Sequence, residues 1–193
     1  MVASMVIGGL LGAVAAYFGK ATDSIIMRLT DMFMAIPETL LALCVVAAMG
    51  ASAVSLIVAM TVACVPGNCR LVRSTVLSIV DAEYVEAARA CGMSDLQIIV
   101  KEIIPNCLGP IIVVSTQGIA GIMLTASSLS YLGMGIQPPN PEWGNMLSTG
   151  RDYIRGYAYM TMFPGLAIVI TVLSLNLLGD GLRDALDPKL RLS

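Results

Sequence analysis

The sequence predicts an all-α, polytopic integral membrane protein with about five transmembrane helices. The chain of 193 residues is 57% hydrophobic and only 12% charged, whereas soluble domains carry roughly 25% charged residues. Its mean hydropathy is +0.85. Apolar runs of the length that a bilayer requires, roughly 20 residues per helix, recur along the chain. They lie at 1–18, 33–66, 108–136 and 158–179.

The first apolar run, residues 1–18, predicts a membrane span rather than a signal peptide. A signal peptide carries its positive charge before the apolar run, but here Lys20 follows it. Within the run, Gly8, Gly12 and Ala16 form a face of small residues. Such a face favours close helix packing, either within the chain or in a dimer.

The second run is too long for one span and predicts a hairpin of two helices. A helix over 36–66 would rise about 46 Å, whereas the hydrocarbon core is about 30 Å thick. A turn at 50–52 gives helices at 32–49 and 53–75. The hairpin places nine basic residues on one side and two on the other, against seven and four for a single span. The positive-inside rule therefore favours the hairpin and puts the nine in the cytoplasm. They are Lys20, Arg28, Arg70, Arg73, Arg89, Lys101, Arg183, Lys189 and Arg191.

This topology puts the first residue outside and the last inside, with the remaining spans at 108–132 and 158–179. An external start directly in a span is unusual. The sequence therefore also predicts a preceding helix, lost by truncation or by the choice of a different start Met.

A charged segment, residues 81–105, separates the third and fourth predicted spans. It holds seven of the 24 charged residues: Asp81, Glu83, Glu86, Arg89, Asp95, Lys101 and Glu102. Its apolar residues recur at three- and four-residue spacing, which indicates helix. Gly92 suits a helix stop, Ser94 or Asp95 suits the next cap, and Pro105 is expected to begin the next span. The prediction is two short helices joined by a bend beneath the membrane.

On the external side the sequence predicts a proline-rich loop at 135–141 and a short surface helix over residues 142–155. Trp143 is the kind of residue that lies at the membrane interface. The polar tail, 179–193, is predicted to be cytoplasmic.

Composition and motif content argue against several functions. Histidine is absent, which removes the commonest general base and metal ligand. The five cysteines fit no metal or redox spacing and are interpreted as small hydrophobes. No basic tract with interleaved aromatic residues supports nucleic-acid binding. No phosphate-binding loop indicates an ATPase site. No metal or cofactor is expected.

The 81–105 segment also carries a resemblance to a known family. Glu86-Ala87-Ala88, three further residues and Gly92, followed by Ile104-Pro105, resembles the EAA loop of binding-protein-dependent ABC importer permeases. Three flanking segments resemble the second permease of dipeptide, oligopeptide and nickel importers, so the similarity covers essentially the whole chain. These segments are 28–43, 130–147 and 163–190.

Two positions depart from the family pattern. Lys101-Glu102 stands where a basic residue followed by His is usual, and Ile104 replaces Leu before Pro105. The first departure is expected to affect partner specificity. Family members also carry a further N-terminal span, in agreement with the topological prediction.

The resemblance implies that 1–193 is a single permease domain, N-terminally truncated, with 81–105 as its cytoplasmic coupling loop. The expected function is an inner (plasma) membrane subunit of an ATP-driven importer, without an ATPase site of its own. Its expected partners are a homologous permease, two ATP-binding subunits, an extracytoplasmic solute-binding protein and membrane lipid. A short peptide is the first choice of cargo, and nickel is the second.

The residues expected to couple the chain to the ATPase are those of the motif. Small alanines let a short helix settle into a groove, a carboxylate offers a charge to a donor, and a glycine permits the bend. These residues are Glu86, Ala87, Ala88, Gly92 and Pro105. Candidates for the translocation path are Ser127, Ser128 and Asn176, although serines in helices more often bond to their own backbone.

Two other classes remain as alternatives. A secondary transporter or channel subunit, not coupled to an ATPase, would place paired ionisable residues at mid-membrane. A membrane-embedded enzyme would need a catalytic constellation. The predicted spans are almost free of charge, which argues against a secondary transporter, and they hold no paired carboxylates, His or activated nucleophile, which argues against an enzyme.

Overall fold

The computed structural model describes residues 1–186, which form helices and connecting turns without a strand. Residues 187–193 of the predicted tail therefore lie outside the described part of the chain. They include Lys189 and Arg191 of the predicted cytoplasmic set. The α-helices are α1 (Val2–Phe18), α2 (Lys20–Met34), α3 (Glu38–Met49), α4 (Ala53–Leu77), α5 (Glu83–Ala90), α6 (Asp95–Ile98), α7 (Ile104–Tyr131), α8 (Trp143–Arg151) and α9 (Tyr159–Leu186). A π-helical turn, Ile99–Ile103, joins α6 to α7.

The helices confirm the membrane class that the composition predicts. Three helical stretches are long and apolar enough to cross a bilayer, and the number reaches four when α2 and α3 are taken as one broken span. The three are α4, the stretch Asp95–Tyr131 and α9 through Ala185. The shorter α1 is also apolar and has 17 residues, or about 26 Å of helix. The predicted spans at 53–75, 108–132 and 158–179 correspond to these three long stretches, and the predicted span at 1–18 corresponds to the shorter α1.

The prediction of one helix over 32–49 is wrong, because the chain breaks between α2 and α3. Ile36 precedes Pro37, and a residue before proline is pushed away from the α region. Pro37 itself becomes the N-cap of α3. The predicted turn at 50–52 is confirmed: Gly50 ends α3 with a φ of +83°.

The described chain divides into two compact units. The long helices α4 and α7 each contribute residues to both units. Unit 1 contains Met1 and residues 37–63 and 116–182. Its core is formed by small and medium apolar side chains of α3, α4 and α7, with the segment after α7 against it. The buried members are Ala42, Val46, Leu56, Ala59, Met60, Ala63 and Leu129.

Helix α8 in unit 1 is shorter than predicted and ends at Arg151, after which the chain forms turns. The carboxylate of Glu142 caps its start, accepting hydrogen bonds from the amides of Gly144 (3.0 Å) and Asn145 (2.7 Å). A carboxylate at this position also interacts favourably with the helix dipole.

Unit 2 contains residues 2–36 and 64–115 and the described residues from 183 onward. Its core joins α1, the second half of α4 and the 81–105 segment. The buried members are Ala13, Ala16, Val72, Val76, Val85, Ile98, Ile99, Ile103 and Cys107.

The small residues of α1 pack against α4 within the chain, which decides between the two predicted uses of this face. A Cβ on Gly12 would overlap the carbonyl oxygen of Cys69, and one on Gly8 would lie 2.7 Å from the carbonyl oxygen of Val65. The two backbones therefore meet without side chains between them, as in other glycine-mediated helix contacts in membranes. We call this contact the glycine seam.

Two ion pairs hold α2 to α4. Arg73 donates from Nε and Nη2 to the two carboxylate oxygens of Asp23, at 2.5 and 2.6 Å. Arg70 pairs with Asp31 in a more exposed position. The bidentate pair is the more directional of the two contacts.

Candidate functional site

The first helix of the 81–105 segment is α5, which has acidic residues near its start and a basic residue near its end. Glu83 and Glu86 lie in its first turn and Arg89 in its last, the arrangement that favours the helix dipole at both ends. Val85 is fully buried, whereas Glu86 is exposed. The helix therefore has one face against the unit 2 core and one face toward solvent.

The bend after α5 is a Schellman motif centred on Gly92. The amide of Met93 donates to the carbonyl of Ala88 at 3.2 Å, and the amide of Gly92 donates to the carbonyl of Arg89 at 3.1 Å. Gly92 has a φ of +82°, a conformation that residues with a Cβ adopt at a cost. The structure thus confirms the predicted stop at this residue.

The second helix starts as predicted but does not stop before the next span. Ser94 is its N-cap, and its amide donates to Oε1 of Gln97 at 3.0 Å as part of a capping box. From Asp95 the helical stretch then continues for 37 residues to Tyr131, about 55 Å. The prediction of a separate short second helix is therefore wrong.

Pro105 lies inside this continuous stretch and does not begin it. A proline has no amide for the carbonyl four residues earlier, and its ring clashes with that carbonyl in a regular α-helix. The π-helical turn Ile99–Ile103 directly precedes this position, and its wider spacing relieves the clash. Nδ2 of Asn106 donates to the carbonyl of Glu102 at 2.6 Å, which satisfies one carbonyl of the turn.

Several apolar side chains of the segment point to solvent in the isolated chain. Tyr84 is 39% exposed, Leu96 is 73% exposed and Val100 is 54% exposed. Ala87 and Cys91 are exposed as well. Much of the apolar repeat that predicts helix here is thus on the open side of the segment, while Val85, Ile98 and Ile103 form the buried side. Partial burial raises the pKa of the Tyr84 phenol.

A polar contact ties both short helices to the end of α1. Oη of Tyr17 donates to Oδ1 of Asp95 at 2.6 Å. The guanidinium of Arg89 lies over the Tyr17 ring, 5.6 Å from its centroid. Hydrogen bonding to the phenol raises the pKa of Arg89. The sequence does not predict a role for Tyr17, which is 78 positions from Asp95.

The five motif residues occupy one continuous stretch of chain in three different settings. Glu86, Ala87 and Gly92 are exposed on α5 and its bend, Ala88 is half-buried, and Pro105 is exposed two residues after the π-helical turn. The first four form one short surface, whereas Pro105 lies on α7.

Of the predicted path residues, Ser127 and Ser128 share an open groove in unit 1. The groove has a volume of about 410 Å³ and a mainly apolar lining. Oγ of Ser128 donates to the carbonyl of Leu124 at 2.8 Å, the backbone bond that serines in helices favour. Asn176 is exposed on α9 and does not line this groove. The structure therefore brings together two of the three residues.

A second polar contact in unit 1 joins α7 to α9. Nε2 of Gln117 donates to Oδ1 of Asp180 at 3.1 Å. Gly179 makes room for this glutamine, since a Cβ there would lie 2.9 Å from its Cγ. This contact holds an otherwise exposed carboxylate near the end of an apolar helix. Among residues 1–186, no group of three or more His, Cys, Asp or Glu is arranged to hold a metal ion.

Comparison with known proteins gives a family and several relatives. Residues 8–192 match the model of the family described as "Binding-protein-dependent transport system inner membrane component". The chain is 41% identical over 191 residues to the di/tripeptide transport system permease protein DppC of Pseudomonas aeruginosa, covering 99% of this chain and 63% of that protein. It is 45% identical over 187 residues to the glutathione transport system permease protein GsiD of Pectobacterium atrosepticum, covering 97% of this chain and 62% of the relative. The chain thus spans less than two thirds of the length of these curated relatives.

A solved structure shares the fold. A chain in inward-facing crystals of the MetNI methionine ABC transporter superposes with a TM-score of 0.78. The match covers 96% of this chain and 88% of that one, at 21% sequence identity. At this identity the likeness concerns the fold alone.

Proposed function

Because the chain belongs to the family of binding-protein-dependent transport system inner membrane components, we propose that it is the permease subunit of an ATP-driven importer. In this proposal the helices form half of a translocation path, and the 81–105 segment receives mechanical work from a separate ATP-binding subunit. The chain itself contributes no ATPase site.

The observation that carries the proposal is the two-sided character of the 81–105 segment. Its inner side is fixed by Val85, Ile98 and Ile103 in the unit 2 core. Its outer side exposes Tyr84, Ala87 and Leu96 beside the carboxylate of Glu86. A polar segment between spans that also exposes apolar side chains is suited to a protein partner rather than to water alone.

The chemistry of the outer side indicates what kind of partner fits. The small side chains of Ala87 and Ala88 allow close approach of a groove to the α5 backbone. Glu86 offers a carboxylate to a basic or backbone donor of the partner, a charge-assisted hydrogen bond. Gly92 then turns the chain back toward α7. We therefore assign Glu86, Ala87, Ala88 and Gly92 to the contact with the ATP-binding subunit, and Pro105 to the connection with α7.

The proposed orientation places the 81–105 segment and the C-terminus in the cytoplasm of a cell with an inner membrane. The distribution of basic residues supports this orientation, because the topology predicted from the sequence puts most of them on the same side as the segment. The segment containing α8 would then lie on the external side of the membrane. The complete assembly would hold a second, homologous permease and two ATP-binding subunits.

Short peptides are the proposed cargo. The relatives named for di/tripeptide and glutathione transport support this choice, since glutathione is itself a short peptide. The groove lined by Ser127 and Ser128 is our candidate for part of the path, because hydroxyl groups there can bond to peptide backbone as well as to their own helix. Nickel is less well supported, because the described residues contain no metal-ligand cluster.

The proposal is tested by uptake of a labelled dipeptide into proteoliposomes that contain the full-length assembly and the binding protein. Glu86→Ala should lower ATP-dependent uptake about tenfold, the size expected when a charge-assisted hydrogen bond is lost. Gly92→Pro should abolish it, because proline cannot adopt a positive φ. Both variants should still insert into the membrane.

Asp152→Ala is the matched control, since it removes an exposed carboxylate of the segment after α8. Its uptake should equal that of the wild type. Wild-type levels of ATP-dependent uptake in both Glu86→Ala and Gly92→Pro would overturn the coupling role. Uptake driven by an ion gradient without any ATP-binding subunit would instead favour a secondary transporter.

A further inference from the structure

We propose that Tyr17 is a positioning residue that fastens the 81–105 segment to α1, so that both move as one body. This inference rests on the proposed function, since it concerns how work delivered to the segment reaches the membrane helices. Tyr17 contributes neither to the ATPase contact nor to the path. It acts through Asp95 and Arg89.

Helix α5 needs an external contact to fix its orientation. It has eight residues, and an isolated helix of this length is unstable in water. Its direction must therefore come from tertiary contacts, whereas α6 continues into α7. The side chains of Val85 and Ile98 are fully buried and set which face of each helix meets the core, but apolar burial is non-directional and fixes the angle of a helix less sharply than a hydrogen bond does.

The phenol of Tyr17 supplies the missing direction. Its hydrogen bond to Asp95, at 2.6 Å, fixes the start of α6, and its ring supports the Arg89 guanidinium at the end of α5. These two residues flank the bend at Gly92 from opposite sides. A single side chain of α1 thus holds both arms of the bend, and hydrogen bonds require near-linear geometry to do so.

The body to which Tyr17 belongs is itself firmly joined to α4. Ala13 and Ala16 of α1 are buried against Val72 and Val76 of α4 in the same core. The glycine seam one turn earlier brings the two backbones into direct contact. A displacement of the 81–105 segment is therefore delivered to α1 and α4 as well as to α7.

The test is a double-mutant cycle in the full-length assembly, reconstituted in proteoliposomes with the binding protein. The quantity to measure is the number of dipeptides imported per ATP hydrolysed, together with the amount of ATP-binding subunit that co-purifies. Tyr17→Phe keeps the ring beneath Arg89 and removes the hydroxyl, which donates to Asp95 and interacts with Arg89. We expect the import ratio to fall threefold to tenfold, the approximate effect of one net hydrogen bond, with unchanged co-purification.

The partner variants separate positioning from a general loss of structure. Asp95→Ala removes the acceptor and should lower the ratio as Tyr17→Phe does, whereas Asp95→Asn retains an acceptor oxygen and should restore most of it. The double variant Tyr17→Phe/Asp95→Ala should be no worse than Tyr17→Phe alone, because that variant has already lost the contact with Asp95. Tyr153→Phe, the same chemical change at an exposed tyrosine after α8, should leave the ratio unchanged.

The outcomes distinguish the inference from the function on which it rests. A wild-type ratio in Tyr17→Phe, or additive losses in the double variant, would overturn the positioning role while leaving the importer intact. A wild-type assembly that shows no ATP-dependent uptake would instead overturn the proposed function. Loss of the ATP-binding subunit from Tyr17→Phe preparations would assign Tyr17 to assembly and would also contradict the inference.

Discussion

At the scale of single residues, the glycines of α1 are fixed by the space available to them. Gly12 faces the carbonyl oxygen of Cys69 so closely that any side chain would overlap it. Gly9, three residues earlier, would place a Cβ in ordinary contact, 3.7 Å from Cγ2 of Val72. Two glycines of one helix therefore differ sharply in what they tolerate.

We expect Gly12→Ala to lower the thermal unfolding midpoint of the purified protein in detergent. Overpacking of a tight contact costs roughly 1–3 kcal/mol, and here the obstructing atoms belong to backbone and cannot rotate away. Gly9→Ala is the control and should change the midpoint little. Equal midpoints for the two variants would mean that the glycine seam does not hold α1 to α4.

The individual residues that the sequence predicts correctly are those whose signal is local. Gly92 and Ser94 act on hydrogen bonds that span no more than five positions, so their roles can be inferred from a short stretch of sequence. Tyr17 could not be inferred in this way. Its partner is 78 positions away, and nothing in a single sequence links the two before the fold brings them together.

At the scale of elements, the π-helical turn before Pro105 determines how the 81–105 segment joins α7. The predicted start of a new span at Pro105 does not occur, because the helix continues through the π-helical turn that directly precedes this proline. A hydropathy profile does not distinguish a widened turn from a helix end. The segment consequently enters the long helix without a flexible joint.

We expect Pro105→Ala to convert residues 99–103 to regular α-helix. Alanine supplies the missing amide and removes the ring, so the wide turn loses its cause. The conversion changes the rotational position of the residues before the turn relative to those after it. Slower amide hydrogen exchange over 99–104 would report the conversion, and uptake in proteoliposomes should fall several-fold.

Pro110→Ala provides the control, since Pro110 also lies inside α7 but follows no π-helical turn. Its exchange pattern over 99–104 should match that of the wild type. Unchanged exchange in Pro105→Ala would show that the wide turn has a different origin.

The break between α2 and α3 illustrates a second limit of element prediction. Apolar residues continue through the break, so a hydropathy profile shows a single apolar run. The backbone nevertheless breaks there, because Pro37 restricts the conformation of Ile36 and itself becomes the N-cap of α3. The turn at Gly50, in contrast, follows from helix length alone, because a bilayer cannot contain a helix of about 46 Å.

At the scale of the whole molecule, the membrane class follows from bulk composition and does not depend on any one residue. Charge distribution then orients the spans, and the same argument gives a direct prediction for Cys91. This thiol is exposed on the 81–105 segment. If most basic residues face the cytoplasm, Cys91 faces it too.

We expect a membrane-impermeant thiol reagent to label Cys91 in inside-out vesicles and not in intact spheroplasts. The measurement uses a variant in which the other four cysteines are replaced by Ala, within the full-length assembly. Asp152→Cys in a Cys91→Ala background is the opposite control and should react only in spheroplasts. Labelling of Cys91 in spheroplasts would reverse the orientation and remove the basis of the importer proposal.

The glycine seam has a thermodynamic consequence for unit 2. Residues without rotatable side chains lose no side-chain conformational entropy when they pack, whereas a leucine or methionine contact loses roughly 0.5–2 kcal/mol in this way. The entropic penalty of such contacts grows with temperature, but a backbone-to-backbone contact at glycine carries none from side chains. On heating, the loss of side-chain entropy should therefore weaken the glycine seam less than it weakens a contact between leucine or methionine side chains.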